Sequence, residues 1–96
     1  MIRHVVLFRW KADFTAEQQA AWTDSVRALP ARIPTIRSAS IGPDRMRSDR
    51  SWDAALVMDF DTLDDVVAYG VHPAHLPVIE VSKGGASAIA SADFEI

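Results

Sequence analysis

The sequence predicts an α+β domain with helices laid over one face of an antiparallel sheet. Three observations carry that expectation. Stretches of period-two alternation open and recur along the chain, two intervening stretches place apolar residues at helical spacing, and turn residues punctuate them. At 96 residues, with no repeat, low-complexity tract or linker, a single domain is expected over residues 1–96.

The elements follow in order. "MIRHVVLFRWK" alternates as a strand, with Ile2, His4, Val6, Phe8 and Trp10 on one face and Arg3, Val5, Leu7 and Arg9 on the other. In "TAEQQAAWTDSVRAL", Thr15 is an N-cap and Gln18 completes a capping box. Trp22, Val26, Leu29 and Ile33 then mark a buried helix face, which Pro30 ends or turns. "TIRSASIG" reads as a second strand and "PDRMRSDRS" as a solvated loop with Arg45, Arg47 and Arg50. "WDAALVMDF" reads as a third strand, with Trp52, Ala54, Leu56, Met58 and Phe60 sharing a face. Asp61 or Thr62 caps a helical piece over 62–70 through Leu63, Val66 and Val67. Pro73 disfavours helix at His72 but suits the first position of a new piece over 73–82, which Gly84–Gly85 stops. "ASAIASADFEI" supplies the last strand.

The order β-α-β-β-α-β is that of the split βαβ, ferredoxin-like arrangement. Its helices leave the other sheet face uncovered, and Val5, Leu7, Ala55 and Val57 lie there. An apolar patch of that kind predicts a homodimer packed sheet against sheet across a two-fold axis.

Composition removes several classes of function. A net charge of −3 provides no footprint for nucleic acid. The absence of cysteine removes disulfides and thiol chemistry. No apolar run approaches membrane-spanning length, and the N-terminus lacks a signal-peptide pattern, so no membrane partner and a cytoplasmic protein are expected. Arginine far outnumbers lysine, which occurs only at Lys11 and Lys83, and alanine is abundant; both point to a GC-rich bacterial source.

The chemistry-bearing residues cluster in "AYGVHPAHLPVIEV". Tyr69, His72 and His75 recur at three-residue spacing where the second helical region begins, and His4 shares the helix-facing side of the first strand. One pocket can collect these four, with Val6, Phe8, Trp22, Val26, Leu56 and Met58 as apolar walls. A neutral imidazole accepts a proton near pH 7, and a phenol donates to a carbonyl oxygen. A helix start at Pro73 would add free backbone N–H groups for a developing enolate. The competing reading makes each His and Tyr a buried group satisfied by backbone, with His72 a simple cap. A zinc site of His4, His72 and His75 lacks a carboxylate at a familiar spacing, and no metal is expected. No nucleophile-elbow serine or phosphate-binding glycine loop is present.

The segments "HVVLFRWK", "IPTIRSASIGPD", "YGVHPAHLPVIEV" and "ADFEI" together resemble the stress-responsive α/β-barrel (Dabb) family over nearly the whole chain. The resemblance implies a dimeric α/β barrel. It also implies kinship with olivetolic acid cyclase, a plant member that closes a linear polyketide by intramolecular aldol condensation. Its catalytic histidine and tyrosine match His75 and Tyr69, and its first-strand histidine matches His4. Trp22 stands at a position also aromatic there; Val26 replaces an aromatic, and Val78–Ala86 departs clearly. Two functions therefore stand open. One is a cofactor-free acid–base enzyme, a polyketide cyclase or an isomerase, acting on a small hydrophobic carbonyl compound. The other is a non-catalytic, stress-responsive small-molecule-binding protein. A haem-degrading or oxygenase role rests on fold analogy alone.

Overall fold

Alternation in the first ten residues does form a strand, β1 (Ile2–Trp10), and it lies inside the sheet. The computed structural model describes residues 1–96. After β1 come α1 (Ala16–Arg27), the short α2 (Leu29–Arg32), β2 (Ser38–Pro43), β3 (Ala54–Phe60), α3 (Leu63–Gly70), α4 (Leu76–Gly85) and β4 (Ala86–Glu95). The four strands run antiparallel in the order β2-β3-β1-β4, the ferredoxin-like arrangement expected from the sequence. No helix is long and apolar enough to cross a membrane.

The register sorts the two faces. His4 is paired with Met58 on one side and Asp93 on the other, and Phe8 with Ala54 and Ile89. These positions face the helices. There Val6, Phe8, Leu56, Met58 and Phe60 pack with Trp22, Val26, Leu29 and Ile33 in one core. The opposite face carries Val5, Leu7, Ala55 and Val57, all half-buried, and β4 adds Ala88, Ala90, Ala92 and the exposed Phe94. On that face the Arg3 guanidinium grips Asp59 through two hydrogen bonds of 2.9 and 3.0 Å, and Ser38 donates a third. These bonds hold the Asp59 carboxyl below the usual carboxylate range.

The Thr15 capping box forms as expected: Gln18 N–H donates to the Thr15 hydroxyl, and Thr15 N–H to the Gln18 side chain. Pro30 does not end the helical region. It sits near the start of α2, where a missing N–H costs little, and Leu29 remains buried. The second strand begins at Ser38 rather than Thr35, because Ile36 turns inward to the core. The third begins at Ala54 rather than Trp52. Trp52 does not share the helix-facing side with Leu56; it stacks under the Arg9 guanidinium at 4.3 Å. Asp53 accepts from Trp10 N–H and from Arg47, which ties the arginine loop to β1. Arg47 adopts φ 52°, and its N–H donates to Asp44; Arg45 and Arg50 remain exposed. On α3, Tyr69 and Val66 face inward, while Leu63 and Val67 are exposed.

The second helical piece starts at Leu76, three residues later than Pro73 predicts. His72 makes the difference. Its Nδ1 accepts from Ala74 N–H at 3.0 Å and its carbonyl accepts from His75 and Leu76, closing a turn before the helix. Gly84–Gly85 do not stop α4 short, since the helix runs through both and enters β4 directly. Neither has positive φ. Gly85 is needed for space: a Cβ there would lie 2.5 Å from the Phe14 ring, whereas one on Gly84 meets nothing within 4 Å. Gly85→Ala should therefore lower stability by about 1–3 kcal/mol in urea unfolding. Gly84→Ala, the control, should be neutral or slightly stabilising. Equal midpoints for the two variants would refute the packing role of Gly85.

Candidate active site

A cleft of roughly 180 Å³ runs between α4 and the helix-facing side of the sheet. Its chemistry is at one end, where β1 brings His4, α3 brings Tyr69 and the turn before α4 brings His75. Its walls are Val6, Phe8 and Leu56 from the sheet and Ile79 from α4. Ser82, Lys83 and Ile89 surround the other end. A groove of about 300 Å³ beside Trp10 and Arg27 is larger but holds no imidazole or phenol.

Three aromatic rings make a row. Tyr69 stacks on His75 with centroids 4.0 Å apart and planes 18° from parallel. His4 meets Tyr69 edge-on at 5.9 Å. The His75 Nδ1 lies 3.0 Å from the Tyr69 carbonyl oxygen. A carbonyl only accepts, so Nδ1 carries the proton and Nε2 keeps its lone pair. Burial lowers the His75 pKa, the carbonyl bond raises it by less, and nearby His4 and His72 lower it further. His75 is thus a neutral imidazole at pH 7 with a defined tautomer. The His4 Nδ1 is 2.5 Å from Asp93 Oδ1, across the β1–β4 pair. Burial pushes the Tyr69 phenol well above its ordinary value of 10.0, so the hydroxyl stays a donor. No hydrogen bond within the chain uses that hydroxyl, and no buried side-chain polar atom lacks a partner, so the hydroxyl is open to the cleft.

The remaining expected residues lie elsewhere. His72 is committed to its turn. Trp22, Val26 and Met58 are sealed in the core, each 2 % exposed or less. Trp22 reaches the cleft only from behind: its indole N–H donates to Ser82 at 2.8 Å, and Ser82 donates to the Val78 carbonyl. The free N–H groups expected at a helix start are mostly used. Pro73 and Pro77 have none, and those of Ala74, His75 and Leu76 are bonded to His72. No three His, Asp or Glu side chains converge as metal ligands.

Sequence reasoning missed Asp93, Ile79, Ser82, Lys83 and Ile89. Two signals pointed to some of them. Ile79 and Lys83 repeat His75 at four-residue spacing along the helix. Asp93 and Ile89 share a parity that becomes informative once the last strand is placed beside the first.

The His75 tautomer and titration are directly measurable. Nitrogen NMR should show Nδ1 protonated and Nε2 bare at neutral pH, with a titration midpoint below the ordinary 6.5. Any reaction using His75 as base should then rise with pH through that midpoint and level off above it. A midpoint above 6.5 would contradict the buried, carbonyl-bonded geometry.

Comparison with known proteins extends this picture. No curated protein matches the chain significantly. A dimeric protein of ferredoxin-like fold from Bacteroides fragilis is 32% identical, with TM-score 0.82 over 99% of this chain and 95% of that one. A dimeric ferredoxin-like protein from Thermobifida fusca is 29% identical, with TM-score 0.90 over 99% and 90%. Hydroxynitrile lyase from Passiflora edulis has the same fold at 17% identity, with TM-score 0.88 over 99% and 92%. The model of the Stress responsive A/B Barrel Domain matches residues 2–96, and the chain belongs to that family, Dabb.

Proposed function

We propose that this protein is a cofactor-independent acid–base enzyme acting on a small hydrophobic carbonyl compound. The observation that carries the reading is His75: a neutral imidazole with Nδ1 held by the Tyr69 carbonyl, its Nε2 left for chemistry in an open apolar cleft. In this reading Nε2 takes a proton from carbon next to the substrate carbonyl. The electron pair moves onto the carbonyl oxygen, and the Tyr69 hydroxyl donates a hydrogen bond to the enolate. In an aldol closure the enolate carbon then bonds to a second carbonyl carbon, whose oxygen takes the proton back from His75. In an isomerisation the proton returns to a different carbon. His4, oriented by Asp93, presents its other nitrogen at the same end of the cleft. Olivetolic acid cyclase supplies the precedent for the first outcome. The hydroxynitrile lyase of the same fold supports the broader idea that this scaffold hosts small-molecule catalysis.

The test does not require the natural substrate. Deuterium uptake at the central carbon of nonane-2,4-dione, followed by proton NMR, reads base catalysis directly. His75→Ala should reduce enzyme-dependent exchange by roughly a hundredfold to ten-thousandfold, and Tyr69→Phe should cost less. His75→Ala also strands the Tyr69 carbonyl and should lower stability by about 1 kcal/mol. His75→Asn keeps a donor near that carbonyl, so it should lose exchange with a smaller loss of stability. Binding of the dione with no exchange above buffer would favour the non-catalytic, ligand-binding alternative.

We further infer that the working unit is a homodimer joined through the sheet face of Val5, Leu7, Ala55 and Val57, in keeping with dimeric relatives of the same fold. Val57→Asp should give monomer or insoluble chain. Light scattering that finds wild-type monomer at micromolar concentration would overturn the dimer.

A further inference from the structure

The cleft has two ends, and only one is occupied by the acid–base groups. α4 runs along its length from His75 past Ile79 to Lys83. Eight residues of helix at about 1.5 Å each separate the His75 and Lys83 backbones by about 12 Å. The same direction is marked on β1, where His4 lies at the imidazole end and Phe8, paired with Ile89, at the other. The Lys11 N–H bonds to the Gly85 carbonyl at 2.8 Å, which anchors the far end of α4 to the end of β1.

Lys83 is the only permanently charged side chain lining the cleft. The ion pairs of the chain's fixed charges join Arg3 to Asp59, Arg37 to Asp61, Arg47 to Asp44 and Asp53, Arg27 to Asp24, and the N-terminus to Glu95; none uses Lys83. Glu80 lies one turn back on α4 and does not pair with it. The other carboxylate near the cleft, Asp93, is engaged by His4. An unpartnered ammonium at the rim of an apolar cleft satisfies one class of ligand best: a small amphiphile with an anionic head. At roughly 180 Å³ the cleft is below the usual size of drug-binding pockets, which restricts the apolar body to a short chain or single ring.

We propose that Lys83 reads a carboxylate on the ligand, and that the substrate is a keto acid bound lengthwise. Its apolar body lies against Phe8, Ile79 and Ile89, its carboxylate meets Lys83, and its ketone reaches His75 and Tyr69. The placement of the ketone rests on the acid–base reading above; the carboxylate site does not.

Sodium octanoate and its neutral counterpart 1-octanol are the probes, titrated into nitrogen-labelled wild-type protein at pH 7.5 and low salt. Octanoate should bind about two- to fivefold more tightly than 1-octanol, the worth of a rim-exposed ion pair. Amide shifts should concentrate at Ile79, Lys83 and Ile89. Lys83→Met should erase the difference between the two probes, Lys83→Arg should restore it, and Lys83→Glu should reverse it. Equal affinities on the wild type, no binding of either probe, shifts outside the cleft, or a preference for octanoate that survives in Lys83→Met would each overturn the proposal. Deuterium exchange of the uncharged dione reads the chemistry separately. Octanoate selectivity without exchange would leave the Lys83 site standing and remove the acid–base reading; exchange without selectivity would do the opposite.

Discussion

Pairing of β1 with strands on both sides decides what each face of the sheet can be. An interior strand has no free edge, so its side chains have only two directions, and period two assigns them strictly. His4, Val6 and Phe8 go to the helices, and Val5 and Leu7 to the open face. A slip of one residue would send His4 away from Tyr69 and put Arg3 into the core. The bidentate Arg3–Asp59 pair opposes that slip, because it can form only with Arg3 on the open face. Burying that guanidinium unpaired would cost far more than the pair contributes where it is.

The cleft exists because α4 is attached firmly at one end and along its back. The Trp22–Ser82–Val78 chain of hydrogen bonds ties α4 to α1, and the contact of Gly85 with Phe14 seats its last turn. At its first turn the chain makes the His72 turn instead of more helix. That turn presents His75 against the face of Tyr69 rather than into solvent. His72, which contributes nothing to the cleft lining, closes the turn that carries His75.

Strand alternation, the capping box and the element order were legible in the sequence because they are local. The period of β1 and the Thr15–Gln18 pair need no partner to be read. The start of the second helix was not legible, since it depends on an imidazole accepting from a backbone N–H two residues ahead, and residue type alone does not reveal that choice. The strand beginning at Trp52 misread a tryptophan that prefers the Arg9 guanidinium to the core. Trp22, Val26 and Met58 share the cleft's side of the sheet, yet depth separates them from it: facing the helices does not distinguish a core position from a lining one. Asp93 was invisible for another reason. Its meaning comes from a neighbour 89 residues away in sequence, and only the pairing of the two terminal strands makes it part of the site.

The two histidines of the cleft are alike in sequence and unlike in surroundings, and the difference lies in what holds each Nδ1. A backbone carbonyl is neutral and fixed, so it orients the His75 ring without adding charge. A carboxylate is anionic and sits on an exposed terminal strand, so its hold on His4 depends on β4 remaining in register. Proton abstraction in the proposed reaction needs a neutral ring with an unshared nitrogen, and His75 has both. His4 instead has a carboxylate at its back, which fixes the orientation of its ring. Tyr69 stands between them, stacked on one ring and met edge-on by the other, and its desolvated phenol keeps its proton and can donate it in a hydrogen bond. An oxygen that gains negative charge between these rings would meet a donor, while the carbon beside it would face a base. That asymmetry is what a proton transfer next to a carbonyl requires, and it follows from three backbone placements: a strand residue, the last turn of a helix and the first residue before the next.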